Sequence, residues 1–260
     1  MKNISEYHYK PILDGLEFLR AKSHTIDFPF HTHDTFNIAL ILDTTFNIKL
    51  TDKFLKVPRG VLSIVNPDEV HATPCDRDQG NSFFTFYVSP DVIKSFNNNR
   101  NVFFRNKVIY NTQLFNEFYF LSENLENASV NFEFRLTKAL KQLVVNYAED
   151  EMFSYKTTKL FQTFINESSF ETFSLDKTAS QFGIDKFKFI RLFKQETGLT
   201  PNNFVLLKKI EKSKQLLKKG VPILNVAVDA GFYDAPHFYK NFKRFTGVTP
   251  LVFQDSYFVQ

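Results

Sequence analysis

Asp185-(x)3-Phe189-(x)3-Phe193-Lys194-(x)2-Thr197-Gly198-x-Thr200-Pro201 returns 49 residues later as Asp234-(x)3-Phe238-(x)3-Phe242-Lys243-(x)2-Thr246-Gly247-x-Thr249-Pro250. In each copy two phenylalanines four apart share one face of a helix, and the aspartate before them is an acceptor suited to cap its first turn. Upstream of each cap runs a second apolar-periodic segment, Leu175-Thr178-Ala179-Phe182 or Ile223-Val226-Ala227-Ala230. Gly183 or Gly231 follows, permitting a tight turn between helices. The small Ala179 and Ala227 let two helices cross closely. Each copy therefore reads as a helix-turn-helix. A helical hairpin packed for stability alone is the plainer alternative, but it gives no reason for the whole pattern to occur twice.

The helix after each cap carries outward cations, Lys186, Lys188, Arg191 and Lys194 in the first copy and Lys240, Lys243 and Arg244 in the second, as suits a helix lying along phosphates. Between the copies, Phe204-Val205-Leu206-Leu207-(x)2-Ile210-(x)5-Leu216-Leu217 predicts a long connecting helix with one buried stripe, stopped by Gly220 and Pro222. Its polar face holds Lys208, Lys209, Lys212, Lys214, Lys218 and Lys219. From Tyr155 onward there are 16 Lys and Arg against 9 Asp and Glu, whereas residues 1–154 hold 16 against 19. The net charge of +4 thus hides a basic half joined to an acidic one. Basic residues clustered at the end with the duplicated motif fit a phosphate footprint better than a generally solvated surface.

At these residues the chain resembles the AraC/XylS family of bacterial transcription regulators. The match runs through Ser174 to Gln181, Phe189 to Lys194, Thr197 to Pro201, Ala230-Gly231-Phe232 and Phe238 to Pro250, covering the last hundred or so residues. The resemblance implies two helix-turn-helix units joined by a long helix, with recognition helices entering successive major grooves on one side of the duplex. Carried over position by position, the base-facing residues are Phe187, Ile190 and Arg191 in the first unit and Ala235, His237, Tyr239 and Lys240 in the second. A guanidinium can bond two acceptors of one guanine, so Arg191 stands out for a direct base contact. Some positions depart from the family pattern. Asp occupies both recognition-helix caps where Ser is usual, and Pro236 falls in a first turn, where a missing amide is tolerated. Phe187 and Ile190 are apolar where polar readers are common, Lys209 replaces the usual Arg, and Ser213 the usual Ala.

The N-terminal half has a different rhythm. Short apolar or alternating runs at Phe36 to Leu42, Phe46 to Leu50, Phe54 to Val57, Val61 to Val65 and Phe83 to Val88, punctuated by Asp, Pro and Gly, predict a small antiparallel barrel or sandwich. Helical spacing returns in Leu114-Phe118-Leu121-Leu125 and Phe134-Ala139-Leu143-Tyr147, leading to a linker near Glu149-Asp150-Glu151. Phe30 to Phe36, Pro58 to Leu62 and Asn66 to His71 resemble the sensor domain of the same regulators, which is a cupin. That resemblance implies a ligand-binding barrel, an N-terminal segment folded over its mouth, and helices that pair two protomers.

His31, His33 and His71 are candidate groups for orienting an anionic or hydroxylated effector, with Phe36, Ile38, Phe84 and Phe86 as apolar walls. Which member of each alternating set faces inward stays open at this point. Three imidazoles converging in a barrel also suit zinc, iron or nickel. Against a metal, the stretch after His31-x-His33 offers Phe36, Asn37 and Ile38 where enzymatic cupins usually add a carboxylate. The expectation is no cofactor, with His31, His33 and His71 as the candidate set were a metal bound.

No Walker loop, Gly-x-Gly-x-x-Gly, Cys-x-x-Cys or Gly-x-Ser-x-Gly elbow occurs, so an enzyme is not expected. The 260 residues suffice for two cores, and the single Cys75 excludes an internal disulfide framework and fits a reducing compartment. No signal peptide and no apolar run near the ~20 residues of a membrane span are visible, which points to the cytoplasm. The expected architecture is a cupin-like all-β sensor over 1–110, helices for dimerisation and linkage over 111–150, and an all-α double helix-turn-helix domain over 155–260. The expected partners are double-stranded DNA, a small-molecule effector of unknown identity, a second copy of the chain and RNA polymerase. The competing expectation is a metal-binding cupin, sensor or enzyme, with a DNA-binding tail.

Overall fold

The computed structural model describes residues 4–127, 129–150, 161, 163, 164 and 173–258. Two compact units emerge, Met1–Asp27 with Thr32–Ser154, and Phe28–His31 with Tyr155–Gln260.

Nine strands come first: β1 (Ile4–Lys10), β2 (Leu16–His24), β3 (Phe28–His31), β4 (Phe36–Ile41), β5 (Phe46–Leu50), β6 (Phe54–Val57), β7 (Leu62–Val65), β8 (His71–Thr73) and β9 (Asn81–Val88). After them come α1 (Pro90–Ser95), β10 (Val102–Phe103), β11 (Val108–Ile109), α2 (Thr112–Glu123), α3 (Phe132–Tyr147) and β12 (Glu149–Asp150). One six-stranded sheet runs β1-β2-β9-β4-β7-β11 and a four-stranded sheet runs β3-β8-β5-β6. The five strand runs read from the sequence are β4, β5, β6, β7 and most of β9. The N-terminal segment, expected over a barrel mouth, is instead the edge strand β1, paired with β2 from Ile4↔Lys22 to Lys10↔Leu16.

Strand alternation decides what each face of the six-stranded sheet does. Phe18, Ile38, Ile64 and Phe86 lie abreast on β2, β4, β7 and β9, since Phe18 and Ile38 both pair with Phe86, and Ile38 with Ile64. This face is covered by the two helices: Phe86 meets Phe118 of α2 at 5.2 Å and Phe18 meets Phe132 of α3 at 6.0 Å between ring centroids. With Leu114, Leu121, Leu136, Leu140 and Leu143 they form one continuous core. The helices at 111–150 thus share their interior with the sheet. The opposite face carries Glu17, Asn37, Val65 and Tyr87, and Phe83 on this side packs against Phe46 of β5 at 5.0 Å, bringing the smaller sheet across.

Two sequence expectations shift in register. Phe134, counted in the buried stripe of its helix, is 65 % exposed, and Phe132 and Leu136 take the inward positions. The acidic stretch expected as linker pairs instead as β12 with β10, held by Arg100–Asp150 at 2.6 Å and Arg105–Glu149 at 3.0 Å. Glu151 lies outside the described residues.

The second unit, from Phe173 on, is helical: α4 (Leu175–Gln181), α5 (Lys186–Thr197), α6 (Pro201–Lys218), α7 (Ile223–Asp229), α8 (Ala235–Thr246) and α9 (Pro250–Phe258). Its core is aromatic, with Phe189, Phe193, Phe238, Phe242 and Phe253 fully buried. Among the described residues no helix is long and apolar enough to cross a membrane.

Candidate functional site

The repeated motif is a pair of corners built atom by atom from its own residues. At the start of α5 the Asp185 carboxylate accepts from the amides of Phe187 at 2.9 Å and Lys188 at 3.0 Å. Asp234 accepts from the amide of His237 at 2.6 Å at the start of α8. These bonds satisfy amides that a helix's first turn leaves without partners. Accepting them holds the Asp185 carboxyl below the usual carboxylate range, the Lys188 amide contributing most.

At the far end, the Thr197 hydroxyl donates to the Phe193 carbonyl at 2.8 Å and accepts from the Leu199 amide at 3.1 Å. Thr246 donates likewise to Phe242 at 2.8 Å. Gly198 and Gly247 adopt the left-handed conformation, φ 77° and 81°, that ends each helix. Thr200 then caps α6, accepting from Asn203 at 3.3 Å, and Thr249 accepts from Val252 at 3.3 Å. Thr-Gly-x-Thr-Pro is therefore one helix's exit fused to the next helix's entry.

Between these corners each recognition helix turns its phenylalanines inward and its cations outward. Phe189, Phe193, Phe238 and Phe242 are 0 % exposed, while Lys186, Phe187, Lys188, Arg191 and Lys194 on α5 are exposed. On α8, His237, Tyr239, Lys240, Lys243 and Arg244 are exposed, and Ile190 and Ala235 are half-buried. Pro236 sits in the first turn of α8, where it breaks no bond. All eleven residues read as a DNA-facing set lie on these two helices.

The lysines of the connecting helix behave differently from the free polar face read in the sequence. Lys208 lies over Phe204 at 5.6 Å and pairs with Glu211 at 3.0 Å. Lys209 lies over Phe232 at 5.9 Å, Lys214 over Phe253 at 5.5 Å and Lys218 over Tyr257 at 5.3 Å. Their stems cover aromatic rings, a structural use of lysine that composition cannot separate from a phosphate footprint.

In the N-terminal unit, the residues read as effector walls and the candidate ligand His33 lie on different sides of the sheet. Phe36, Ile38, Phe84 and Phe86 are in the core beneath α2 and α3. His33 lies tilted against Tyr87, ring centroids 5.3 Å apart, on the other face. The side chains that share this face are Tyr87, Asn37 and Glu17, none of which the sequence singled out. Glu17 accepts from the Tyr7 hydroxyl, and burial together with the Glu17 charge raises the Tyr87 phenol, keeping it protonated. The missed signal was the alternation itself: one strand partner known to face the helices assigns every other residue.

Of the three histidines, His33 and His71 come together within the first unit, their ring centroids 5.4 Å apart, while His31 ends β3 in the second. The loop from Asn66 explains this placement. Asp68 donates its amide to the His33 carbonyl at 2.8 Å, and Glu69 pairs with the Lys107 ammonium at 2.6 Å and accepts from the Asn66 amide at 3.1 Å. Burial lowers the His71 pKa to about 4, so its imidazole is neutral. Cys75 is pushed up to about 12 by burial and is a poor nucleophile.

Comparisons agree with these two units. Residues 15–144 match the AraC-like ligand binding domain and residues 178–256 match a helix-turn-helix domain. An uncharacterized HTH-type transcriptional regulator of Bacillus subtilis, YbfI, is 26% identical over 237 residues, 85% of each chain. The virulence regulon transcriptional activator VirF of Yersinia enterocolitica is 31% identical over 90 residues, 34% of this chain and 33% of its own. Among solved structures, a single-residue variant of apo ToxT from Vibrio cholerae superposes with a TM-score of 0.56 at 12% identity, over 98% of this chain and 97% of that one, a likeness of fold.

Proposed function

The chain belongs to the AraC-type family of transcription regulators, and from that premise we propose that it activates transcription by DNA binding under the control of a small molecule held in its N-terminal domain. The carrying observation is the duplicate itself: two recognition helices, each capped by Asp and closed by a left-handed Gly, presenting Arg191 and Lys194 from one and Lys240, Lys243 and Arg244 from the other. Cations on a rigid helix supply the salt-dependent, non-specific part of affinity, and Arg191 supplies base discrimination. Phe187, 71 % exposed, would meet a thymine methyl.

For the effector site we favour the sheet face of Glu17, Asn37, Thr85 and Tyr87 with His33 and His71, because polar groups gathered on one face orient a ligand. Two copies would pair through α2 and α3, which leave Tyr119, Phe120, Phe134 and Val145 exposed. Activation follows the sense of VirF, with RNA polymerase as the further partner and the cytoplasm as the site of action.

Footprinting on the DNA upstream of the gene itself and of its neighbours tests the reading. The expected result is protection of two segments about 10 bp apart per protomer, lost on raising salt. Equal affinity for that DNA and for unrelated duplex would overturn it.

A further inference from the structure

The two helix-turn-helix units are built alike up to one point in the turn. Gly183 donates its amide to the Ser180 carbonyl at 3.0 Å and Ile184 donates to Ala179 at 3.2 Å. In the second unit Gly231 donates to Val228 at 2.8 Å and Phe232 to Ala227 at 2.9 Å. The same two bonds therefore close both turns, and Ile184 and Phe232 hold the same place. Asp185, the cap of α5, follows Ile184 directly, whereas Tyr233 stands between Phe232 and Asp234, the cap of α8. The second turn has one residue more, and that residue is a tyrosine.

The extra side chain adds almost nothing to the core. Phe232 before it is 7 % exposed and packs on Phe238, ring centroids 5.1 Å apart. Tyr233 is 95 % exposed, the most exposed of the large apolar side chains among the described residues. A single exposed aromatic is ordinary on a protein surface, so its place is what counts. In a bound helix-turn-helix the first helix crosses the sugar-phosphate strand and the second sends its first turn into the major groove. Tyr233 lies on the joint between those two helices, α7 and α8. Asp234, whose charge would repel a phosphate there, has its carboxylate bonded to the His237 amide at 2.6 Å. A phenol O–H is among the donors that bond phosphate oxygens, and it does so without carrying charge.

We infer that Tyr233 is a DNA-backbone contact of the second unit, its phenol donating to a phosphate oxygen at the edge of the groove that α8 enters. The inference rests on the reading of α8 as a recognition helix. It gives the second unit an anchor that the first does not share, since the half-buried Ile184 ends the shorter turn and carries no donor. An anchor of this kind fixes how deeply and at what angle α8 enters the groove, and reads no base itself.

The test uses the full chain and fluorescence anisotropy on a duplex from the region upstream of the gene, over a salt series. Tyr233→Phe removes only the hydroxyl and Tyr233→Ala the whole side chain; at so exposed a position both variants keep the fold, which circular dichroism checks. Both should bind roughly 10-fold more weakly than the unaltered chain, as expected for a hydrogen bond to a charged group. The slope of log K against log salt should stay unchanged, because a neutral donor releases no counterion. Replacing phosphates one at a time by methylphosphonate should reveal a linkage whose loss weakens the unaltered chain and leaves Tyr233→Phe as it was. Binding by Tyr233→Phe as tight as by the unaltered chain would overturn the inference, whether or not Tyr233→Ala binds weakly, and so would the lack of any such linkage. Lys240→Ala on the same duplex separates the two readings. If it weakens binding while Tyr233→Phe does not, α8 remains a recognition helix and only the tyrosine contact falls; if neither does, both fall.

Discussion

Lys209, in the middle of α6, donates its ammonium hydrogen to the main-chain carbonyl of Gly231, in the turn of the second helix-turn-helix. The long helix is thereby tied to the turn that orients α8 as well as to its own buried stripe. Replacing Lys209 with Met keeps the stem over Phe232 and removes the donor. The expected cost is about 1.5–3 kcal/mol, the range for hydrogen bonds to charged groups. Denaturation of the full chain followed by far-UV circular dichroism, whose signal the helical unit dominates, should show it, with Lys209→Arg close to the unaltered chain.

Asp185 makes a prediction in pH. Its folded pKa is lowered by the Lys188 amide first, so the cap's contribution is present above the unfolded carboxylate value of about 3.9 and is lost as pH falls through the lower folded value. Asp185→Asn should retain an acceptor and lose this acid dependence, whereas Asp185→Ala should lower the melting temperature at neutral pH as well. An acid titration of helicity with the same slope in the Asn variant would refute the cap's role.

Arg191 and Lys243 should fail differently. Arg191→Ala is expected to cost roughly 1–3 kcal/mol on the specific site, with little change on unrelated duplex. Lys243→Ala should weaken both and lower the slope of log K against log salt by about 1. Fluorescence anisotropy over a salt series distinguishes them.

Phe86 joins the sheet to α2 through Phe118 and is fully buried. Phe86→Ala should destabilise the N-terminal unit by about 3–5 kcal/mol. Calorimetry should show an early N-terminal transition, with the helical unit melting unchanged.

How far the sequence carried the reading depended on whether the signal was local. Caps, left-handed glycines and stripes four residues apart are set within one turn of helix, and α4 through α8 form where those signals place them; α9, after Pro250, was not read. The sheet faces were not legible in the same way, because Phe84 and Thr85 differ in environment only once α2 and α3 lie on one side. β1 and β2 escaped notice for a related reason. Tyr7, His8, Glu17 and Arg20 break the apolar rhythm, and the pairing of β2 with β9, which buries Glu17 beside Tyr87, is a long-range fact. The histidines were found by residue type, but the Pro29 and Glu69 carbonyls that meet the Nδ1 atoms of His31 and His71 carry no sequence signature.

The fused corner at Thr197 to Pro201 leaves no spare chain between one helix and the next. One residue added or removed there would rotate all that follows by about 100°, swinging α6 off its bed of phenylalanines. Length variation within this half of the molecule is therefore confined to other joints, and the pitch at which its two readers are geared together is inherited as a fixed quantity.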